Sequence, residues 1–342
     1  MIFKYSYIYI FRILFFIVIS YGLLYFSYKH YTPIGAGDYV FYKQMMFKPF
    51  DYNSSESPFV YRQISPVISF IIYNIGIFYD TNISYSNELI EKKIFFANLI
   101  SNFIALNITA FIATKILDLE MEKITVIPSL LVGLICFVSF GTQVTVLTML
   151  VEGWTWAFIT FGFYAMKKNN LVLFVFIIFL SIFQKEIVSI TLGILSFLLL
   201  FINLIKKHNN KQNKILFSMF ITSLLIFIIY IIKRIYILPV NGYENQINLY
   251  SHMINLVTYD YANIKWLISN FLMQNVFIIL CFILFILILY NSKNQEKINL
   301  NNFIVLFLTF FGLYFISIGS GLKGDIAHIL FVMTPLFSIY LV

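Results

Sequence analysis

Long apolar runs, separated by short polar stretches, recur along the whole chain. Each run is about 20 residues long, which is the length that a helix needs to cross the ~30 Å hydrocarbon core of a bilayer. Backbone groups in lipid must bond to one another, so these runs predict helices rather than open sheet. The pattern predicts ten membrane helices, with approximate bounds 7–28, 93–115, 124–140, 142–166, 171–183, 187–205, 215–238, 266–290, 303–320 and 327–342.

The segment 58–79 has a different pattern. Its polar residues recur at steps of three and four, which places one polar stripe on an otherwise apolar helix. The stripe consists of Arg62, Ser65, Ser69, Tyr73 and Gly76. Such a helix lies in the membrane interface or lines a cavity, so we predict that this segment does not cross the bilayer.

The distribution of lysine then predicts the orientation. If segment 58–79 does not cross, the short basic segments all fall on one side of the membrane, and dense Lys in short loops marks the cytoplasmic side. These segments are the N-terminus and the stretches 115–123, 167–168, 206–214 and 293–297. We therefore predict an all-α polytopic protein of the cytoplasmic membrane with both termini in the cytoplasm.

The whole chain, 1–342, is predicted to be a single transmembrane domain. A first outer loop at 29–92 carries juxtamembrane helices in this prediction, and a second large outer loop spans 239–265. The first apolar run lacks a small-residue cleavage site, so we expect it to be retained as a helix.

Composition narrows the function classes. Hydrophobic residues make up 61% of the chain and charged residues 11%, against about 25% charged in a soluble domain. The net charge of +8 does not indicate nucleic-acid binding, because the basic residues flank apolar runs and form no contiguous patch. Cys136, Cys281 and the four histidines show no metal-ligand spacing, so no cofactor is predicted; a divalent metal is not indicated, and metal dependence stays open.

Ionisable residues at membrane depth cost about 2.5–3.5 kcal/mol each, so they usually face a polar cavity or each other. The run 171–183 is about 20 Å long at about 1.5 Å per residue, so the polar break after it lies within the outer half of the bilayer. The predicted orientation brings a mixed set of acids and bases to the outer face. The set consists of Asp38, Arg62, Glu152, Lys185, Glu186, Lys233, Arg234, Lys323, Asp325 and His328.

This layout resembles the GT-C superfamily of integral-membrane glycosyltransferases, which use polyprenyl-phosphate-linked sugars. Asp38, in the stretch GAGDY just after the first helix, matches the acidic position that the family carries early in its first outer loop. The stretch PFVYR at 58–62, followed by Ser65-Pro66, looks like a Pro-Phe-x-Tyr-Arg-x-x-x-Pro pattern of bacterial members. The short helix pair with Lys185-Glu186 at its tip also looks like a family feature.

The resemblance implies a hexosyltransferase that moves a sugar from a polyprenyl-phosphate donor onto a lipid-linked glycan or another envelope acceptor, outside the cytoplasm. The chain departs from many members in its smaller size and in having no soluble C-terminal domain. That departure leaves the acceptor unassigned.

Each charged residue of the set has a chemical role in this interpretation. Asp38, at the water boundary, is the candidate catalytic base for the acceptor hydroxyl. Cations in a partly dry site stabilise the charge that grows on a lipid phosphate as it leaves. The candidate substrate-binding residues are Arg62, Lys185, Glu186, Arg234, Lys323, Asp325 and His328, with His328 as a hydrogen-bond or proton donor.

The same residues also have structural interpretations. Asp38 is a plausible helix N-cap, Arg62 a side chain that extends to the headgroups, and Lys233 an interfacial anchor. Lys185 and Glu186 form a pair with each other in this alternative. Glu152 then bonds between helices, Lys323 and Asp325 form an exposed pair, and His328 is a packing residue.

Three other functions stay open. A lipid or oligosaccharide flippase or transporter would show interrupted helices in both halves, whereas the sequence shows one interruption, near Lys185. A polysaccharide polymerase or ligase would carry Arg in a large late outer loop, and 241–265 contains none. An acyltransferase would need a His-based site, for which His328 beside Asp325 is the one candidate.

Overall fold

The structure is a computed structural model that describes residues 3–30, 38–56, 59–76, 82–85, 88–139, 142, 150–206, 210–237, 283, 300–319 and 332–341. Its helices are α1 (Phe3–His30), α2 (Asp38–Phe47), α3 (Ile64–Ile75), α4 (Lys92–Glu120), α5 (Ile127–Val138), α6 (Glu152–Lys167), α7 (Leu171–Leu180), α8 (Glu186–Ile205), α9 (Asn210–Tyr236), α10 (Leu300–Gly319) and α11 (Thr334–Leu341). Two 3-10 turns, Phe59–Tyr61 and Ser181–Phe183, precede α3 and α8.

The protein is a helical membrane protein, as predicted. By length and composition, four of the described helices can cross a membrane: Tyr7–Lys29 within α1, and α4, α8 and α9. The shorter apolar helices are α3, α5, α7 together with its 3-10 turn, and part of α10. The described helices therefore account by length for four of the ten predicted crossings, and the predicted helix 266–290 lies outside the described residues.

A two-stranded antiparallel hairpin interrupts the first predicted outer loop. Its strands are β1 (Asn82–Tyr85) and β2 (Glu88–Glu91), with Asn82 opposite Glu91. The sequence predicted juxtamembrane helices in this loop but not the hairpin. Only four residues contribute to each strand, too few for an alternating pattern to stand out beside the long apolar runs.

The bundle has two ends that differ in chemistry. Helices α1 and α4 run antiparallel: Arg12 contacts Asp118 at one end, and the Tyr28 and Phe96 rings meet at 4.8 Å towards the other. Helices α4 and α6 run parallel, since Ser101 contacts Trp154 and Glu120 contacts Lys167. The basic segments at the N-terminus, 115–123 and 167–168 therefore share one end of the bundle, as the lysine pattern predicted.

We call this end the Arg12 end. It is defined by Arg12, Asp118, Glu120 and Lys167. The opposite end is called the Arg62 end and is defined by Arg62, Glu152, Lys185, Glu186 and Arg234. An apolar core, formed by residues of α1 and of α4 to α11, fills the bundle between the two ends.

Helix α3 turns its polar stripe inward. Ser65 and Ser69 are buried, and the Ser69 hydroxyl lies 3.0 Å from Oδ1 of Asn98 on α4. Ile71 and Ile75 are 57% and 62% exposed on the opposite face. The middle of the predicted stripe thus packs inward, with Ser69 against α4, whereas Gly76 at its end is exposed. With 12 residues α3 is about 18 Å long, too short to cross the ~30 Å core unaided.

Helix α6 begins later than predicted. The apolar run predicted one helix over 142–166, whereas α6 begins at Glu152. Leu150 and Val151 precede the helix, and side chains hold their carbonyls: Asn102 Nδ2 donates to Leu150 O at 2.7 Å, and Gln184 Nε2 to Val151 O at 2.7 Å. Gly153 lets α6 approach α4 closely, because a Cβ there would lie 2.9 Å from Asn102 Oδ1. The late start places Glu152 in the first turn of a helix.

Candidate functional site

Helix termini converge at the Arg62 end. Helices α3, α6 and α8 begin there, and α9 ends there. The free N–H groups of a helix N-terminus favour negative charge, and the free carbonyls of a C-terminus favour positive charge. Glu152 and Glu186 occupy the first turns of α6 and α8, and Lys233 and Arg234 lie in the last turn of α9. The local sequence thus matches the helix dipoles at this end.

Arg62 is buried in the connection between the 3-10 turn and α3. It is 8% exposed, and its Nη1 donates to the Tyr42 hydroxyl at 2.7 Å. The guanidinium carbon lies 5.5 Å from the centre of the Phe59 ring. Burial alone would lower the pKa of Arg62, but Tyr42, Glu186 and Tyr230 outweigh it and hold the pKa well above its ordinary value. Arg62 is therefore a permanently charged interior group and does not extend to the headgroups.

Lys185 and Glu186 pair with other helices. Lys185 Nζ lies 3.0 Å from Glu152 Oε1, and Arg234 Nη1 lies 3.8 Å from Glu186 Oε1. Lys185 has an extended backbone (φ −157°, ψ 136°) just before α8, so its side chain diverges from that of Glu186. The alternative in which these two residues pair only with each other is wrong, because each forms an ion pair with another helix.

Glu186 is the acidic centre of the cluster. Arg62, Arg234 and Lys185 all act electrostatically on its carboxylate. These three cations come from the first outer loop, from α9 and from the break before α8. A single carboxylate therefore joins three segments that are far apart in the sequence.

Lys233 is surrounded by aromatic rings. Its Nζ lies 4.8 Å from the centre of the Phe183 ring, 5.7 Å from Tyr52 and 5.8 Å from Tyr61. Among the described residues this ammonium has no hydrogen-bond partner. The interpretation of Lys233 as a headgroup anchor does not fit this position, because its charge is enclosed by the protein.

Neutral side chains and backbone bonds fix the cluster. The Tyr61 hydroxyl donates to Ile237 O at 2.6 Å, which ties the 3-10 turn to the end of α9. The Gln63 backbone N–H donates to Phe183 O at 2.7 Å, which ties the start of α3 to the break before α8. Sequence reasoning missed Tyr42, Tyr61 and Gln184 as parts of the site, although Tyr61 and Gln184 directly precede the predicted Arg62 and Lys185.

The described residues leave the cluster with an excess of positive charge. Four cations (Arg62, Lys185, Lys233 and Arg234) face two carboxylates (Glu152 and Glu186), which leaves two positive charges unmatched. Arg guanidinium groups bind phosphate oxygens in a bidentate manner, and Lys adds a point charge. The described residues contain no group of three or more His, Cys, Asp or Glu that could hold a metal ion. This chemistry favours an anionic ligand.

The other predicted site residues are described in part or not at all. Asp38 is the first residue of α2 and lies one helical turn before Tyr42, the hydrogen-bond partner of Arg62. Lys323, Asp325 and His328 lie outside the described residues. Of the eight predicted site residues, the structure brings Arg62, Lys185, Glu186 and Arg234 together, and it adds Glu152 and Lys233.

Comparisons of the chain with protein-family models, with curated proteins and with solved structures found no match.

Proposed function

We propose that this protein is an integral-membrane glycosyltransferase of the GT-C type. It moves a hexose from a polyprenyl-phosphate donor to a lipid-linked glycan or another envelope acceptor on the extracytoplasmic face. The observation that supports this proposal is the meeting of Arg62, Lys185 and Arg234 around Glu186, at a cluster in which cations outnumber carboxylates by two among the described side chains. A lipid phosphate is an anion that reaches such a site from the bilayer.

The excess charge fits the change that glycosyl transfer causes. When the sugar–phosphate bond breaks, the phosphate gains negative charge, and cations already in place stabilise it most where water is scarce. A hydrogen bond to a charged group contributes about 1.5–3 kcal/mol. The Arg62 guanidinium is buried and held by Tyr42, so it needs little rearrangement to take up this role.

Asp38 is the proposed catalytic base. It starts α2, one turn before Tyr42, and α2 packs against α3 and the 3-10 turn that carry Arg62. In the proposed reaction Asp38 takes the proton of the acceptor hydroxyl, and the sugar carbon transfers from the phosphate oxygen to the acceptor oxygen. Lys323, Asp325 and His328 complete the proposed substrate site.

The proposal includes ten membrane crossings and a fixed orientation. The protein lies in the cytoplasmic membrane, with the Arg62 end on the extracytoplasmic side and both termini in the cytoplasm. The lysines at the Arg12 end support this, since short basic loops stay in the cytoplasm. In a variant whose Cys136 and Cys281 are replaced by Ala, a cysteine introduced as Lys211→Cys should then react with a membrane-impermeant maleimide only after the membrane is opened. Reaction in intact cells would invert the orientation and refute the proposed site.

The direct test is a transfer assay. Membranes containing the protein are incubated with labelled polyprenyl-phosphate hexoses, and transfer by the wild type is compared with Asp38→Asn and Arg62→Gln. We expect transfer by the wild type and loss in both variants. Asp51→Asn is the matched control, because Asp51 is an exposed acid of the same loop that caps the Asn53 N–H. Full transfer by Asp38→Asn would remove Asp38 as the base.

A further inference from the structure

Two buried glutamines at the Arg62 end have unused hydrogen-bonding atoms. Gln63 is 1% exposed and Gln184 is 0% exposed. Among the described residues, Oε1 and Nε2 of Gln63 and Oε1 of Gln184 have no hydrogen-bond partner. Folding rarely leaves buried amide groups unpaired, because each gives up its hydrogen bonds to water without replacement. These three atoms, on two nearby segments, could hydrogen-bond to a polar ligand.

The two glutamines belong to segments that touch. The Gln63 N–H donates to the carbonyl of Phe183, the residue before Gln184. Gln184 Nε2 donates to Val151 O at 2.7 Å and lies 3.3 Å from Thr155 Oγ1. Those bonds fix the orientation of the Gln184 amide and leave its Oε1 as a positioned acceptor.

Each glutamine is the chain neighbour of a cation of the cluster. Gln63 follows Arg62, and Gln184 precedes Lys185. The site therefore combines positive charges with two amide carbonyls and one amide N–H. Carbonyl oxygens repel a second anion, but they accept hydrogen bonds from hydroxyl groups, and the N–H donates to a hydroxyl oxygen.

We propose that Gln63 and Gln184 form a hydroxyl-binding subsite that receives the sugar of a ligand whose phosphate is held by the neighbouring cations. This inference rests on the proposed function for the phosphate, but it adds a separate recognition element for the sugar. A sugar bound there would supply the hydrogen bonds that the buried amides lack. The subsite would then let the protein distinguish a sugar-carrying lipid phosphate from the bare lipid phosphate by affinity.

The test measures binding, not transfer. The full-length protein in lipid nanodiscs is titrated with a bare polyprenyl phosphate and with a panel of polyprenyl-phosphate hexoses that contains glucose, galactose and mannose. We expect the wild type to bind at least one hexose form about tenfold more tightly than the bare lipid. Gln63→Leu should abolish this difference and leave the affinity for bare polyprenyl phosphate unchanged.

Thermal unfolding provides the second readout. Among the described residues the amide atoms of Gln63 have no partner, so Gln63→Leu should not lower the unfolding temperature of the free protein. Gln63→Met, with an unbranched side chain of similar size, repeats the test in case the branched side chain does not fit. Gln44→Leu is the matched control, because Gln44 is exposed on α2 and should change neither readout.

Each of the other outcomes refutes the subsite, the transferase proposal or both. If no hexose form binds more tightly than the bare lipid, or if Gln63→Leu and Gln63→Met weaken both ligands equally, the hydroxyl subsite is refuted and the amide serves the fold or bound water. If the wild type binds neither ligand, the phosphate site of the proposed function is refuted together with the subsite. If the wild type prefers a hexose form but transfers no sugar, the subsite stands and the transferase proposal fails.

Discussion

The two ends of the bundle both bury charged side chains, but they arrange them differently. At the Arg12 end, Nη1 and Nη2 of Arg12 donate to the two oxygens of Asp118 at 2.7 and 2.9 Å, and Nη2 also contacts Thr125 O. Glu120 accepts from Lys167, from Tyr340 at 2.9 Å and from Asn302 at 3.1 Å. Each of these cations has a carboxylate in direct contact.

At the Arg62 end the pairing is looser, apart from the direct contact of 3.0 Å between Lys185 and Glu152. Arg234 and Glu186 are 3.8 Å apart, the main partner of Arg62 is the neutral Tyr42, and Lys233 has aromatic rings around it. Buried amide atoms of Gln63 and Gln184 have no hydrogen-bond partner among the described residues. A paired, closely bonded network stabilises the fold, whereas a network with excess charge and unused polar atoms leaves interactions available to a ligand. The difference predicts that mutations at the Arg12 end lower stability, whereas mutations at the Arg62 end lower ligand affinity.

The largest effect on stability is expected for Asp118→Asn. The Arg12 side chain is 0% exposed, so removal of its carboxylate leaves a buried charge uncompensated. Breaking a buried ion pair in this way costs about 3–5 kcal/mol. Thermal unfolding of the purified protein in detergent should show a large decrease in melting temperature. The double variant Arg12→Met/Asp118→Leu should recover most of it, and a single variant as stable as the wild type would contradict the comparison.

Arg62→Gln should have the opposite effect: it should lower ligand affinity and leave stability almost unchanged. It removes one cation from a cluster in which cations outnumber carboxylates by two among the described side chains, so the melting temperature should stay close to the wild-type value. Loss of one member of a buried charged contact to the ligand costs about 2 kcal/mol or more, which is at least roughly a 30-fold loss of affinity for polyprenyl phosphate. Binding to nanodisc-embedded protein measures this. A large loss of stability with unchanged affinity would show that Arg62 serves the fold.

The sequence predicted the broad arrangement, because membrane insertion acts on simple properties. Apolar runs predicted α8 and α9 closely, and the lysine pattern predicted which segments share an end. The same argument placed Arg62, Glu186 and Arg234 at one end, and the structure places them there. The role of these residues in binding a sugar phosphate stays a prediction.

Several features could not be read from the sequence, because they depend on local backbone geometry and on partners far along the chain. Lys185 pairs with Glu152 rather than with its neighbour since its backbone is extended before α8. The start of α6 depends on the Asn102 and Gln184 side chains that hold the preceding carbonyls. The rings around Lys233 come from two other segments, and periodicity within α9 does not indicate them.

Two tyrosine-to-phenylalanine variants sharpen the comparison with a smaller change. Tyr340→Phe removes a hydroxyl that lies 2.9 Å from Glu120 at the Arg12 end, and Tyr42→Phe removes one that lies 2.7 Å from Arg62 at the other end. Each loses one hydrogen bond to a charged group, about 1.5 kcal/mol. We expect Tyr340→Phe to lower the melting temperature and to leave ligand affinity unchanged. Tyr42→Phe should weaken binding of polyprenyl phosphate roughly tenfold, and equal effects on both properties in both variants would erase the distinction between the ends.

The smallest expected effect comes from pH. A phosphate monoester loses its second proton near pH 6, so bare polyprenyl phosphate gains a second negative charge above that value. Arg62 stays charged throughout, because its pKa is held above its ordinary value. The dianion meets a cluster in which cations outnumber carboxylates among the described side chains. Affinity for the bare lipid should therefore rise about two- to fivefold from pH 5 to pH 7, which corresponds to the energy of a partly exposed ion pair. The hexose form is a diester with a single charge over this range, so its affinity should stay constant. A parallel rise for both lipids would show that a protein group titrates instead, and the excess charge at the Arg62 end would then not be what distinguishes the two ligands.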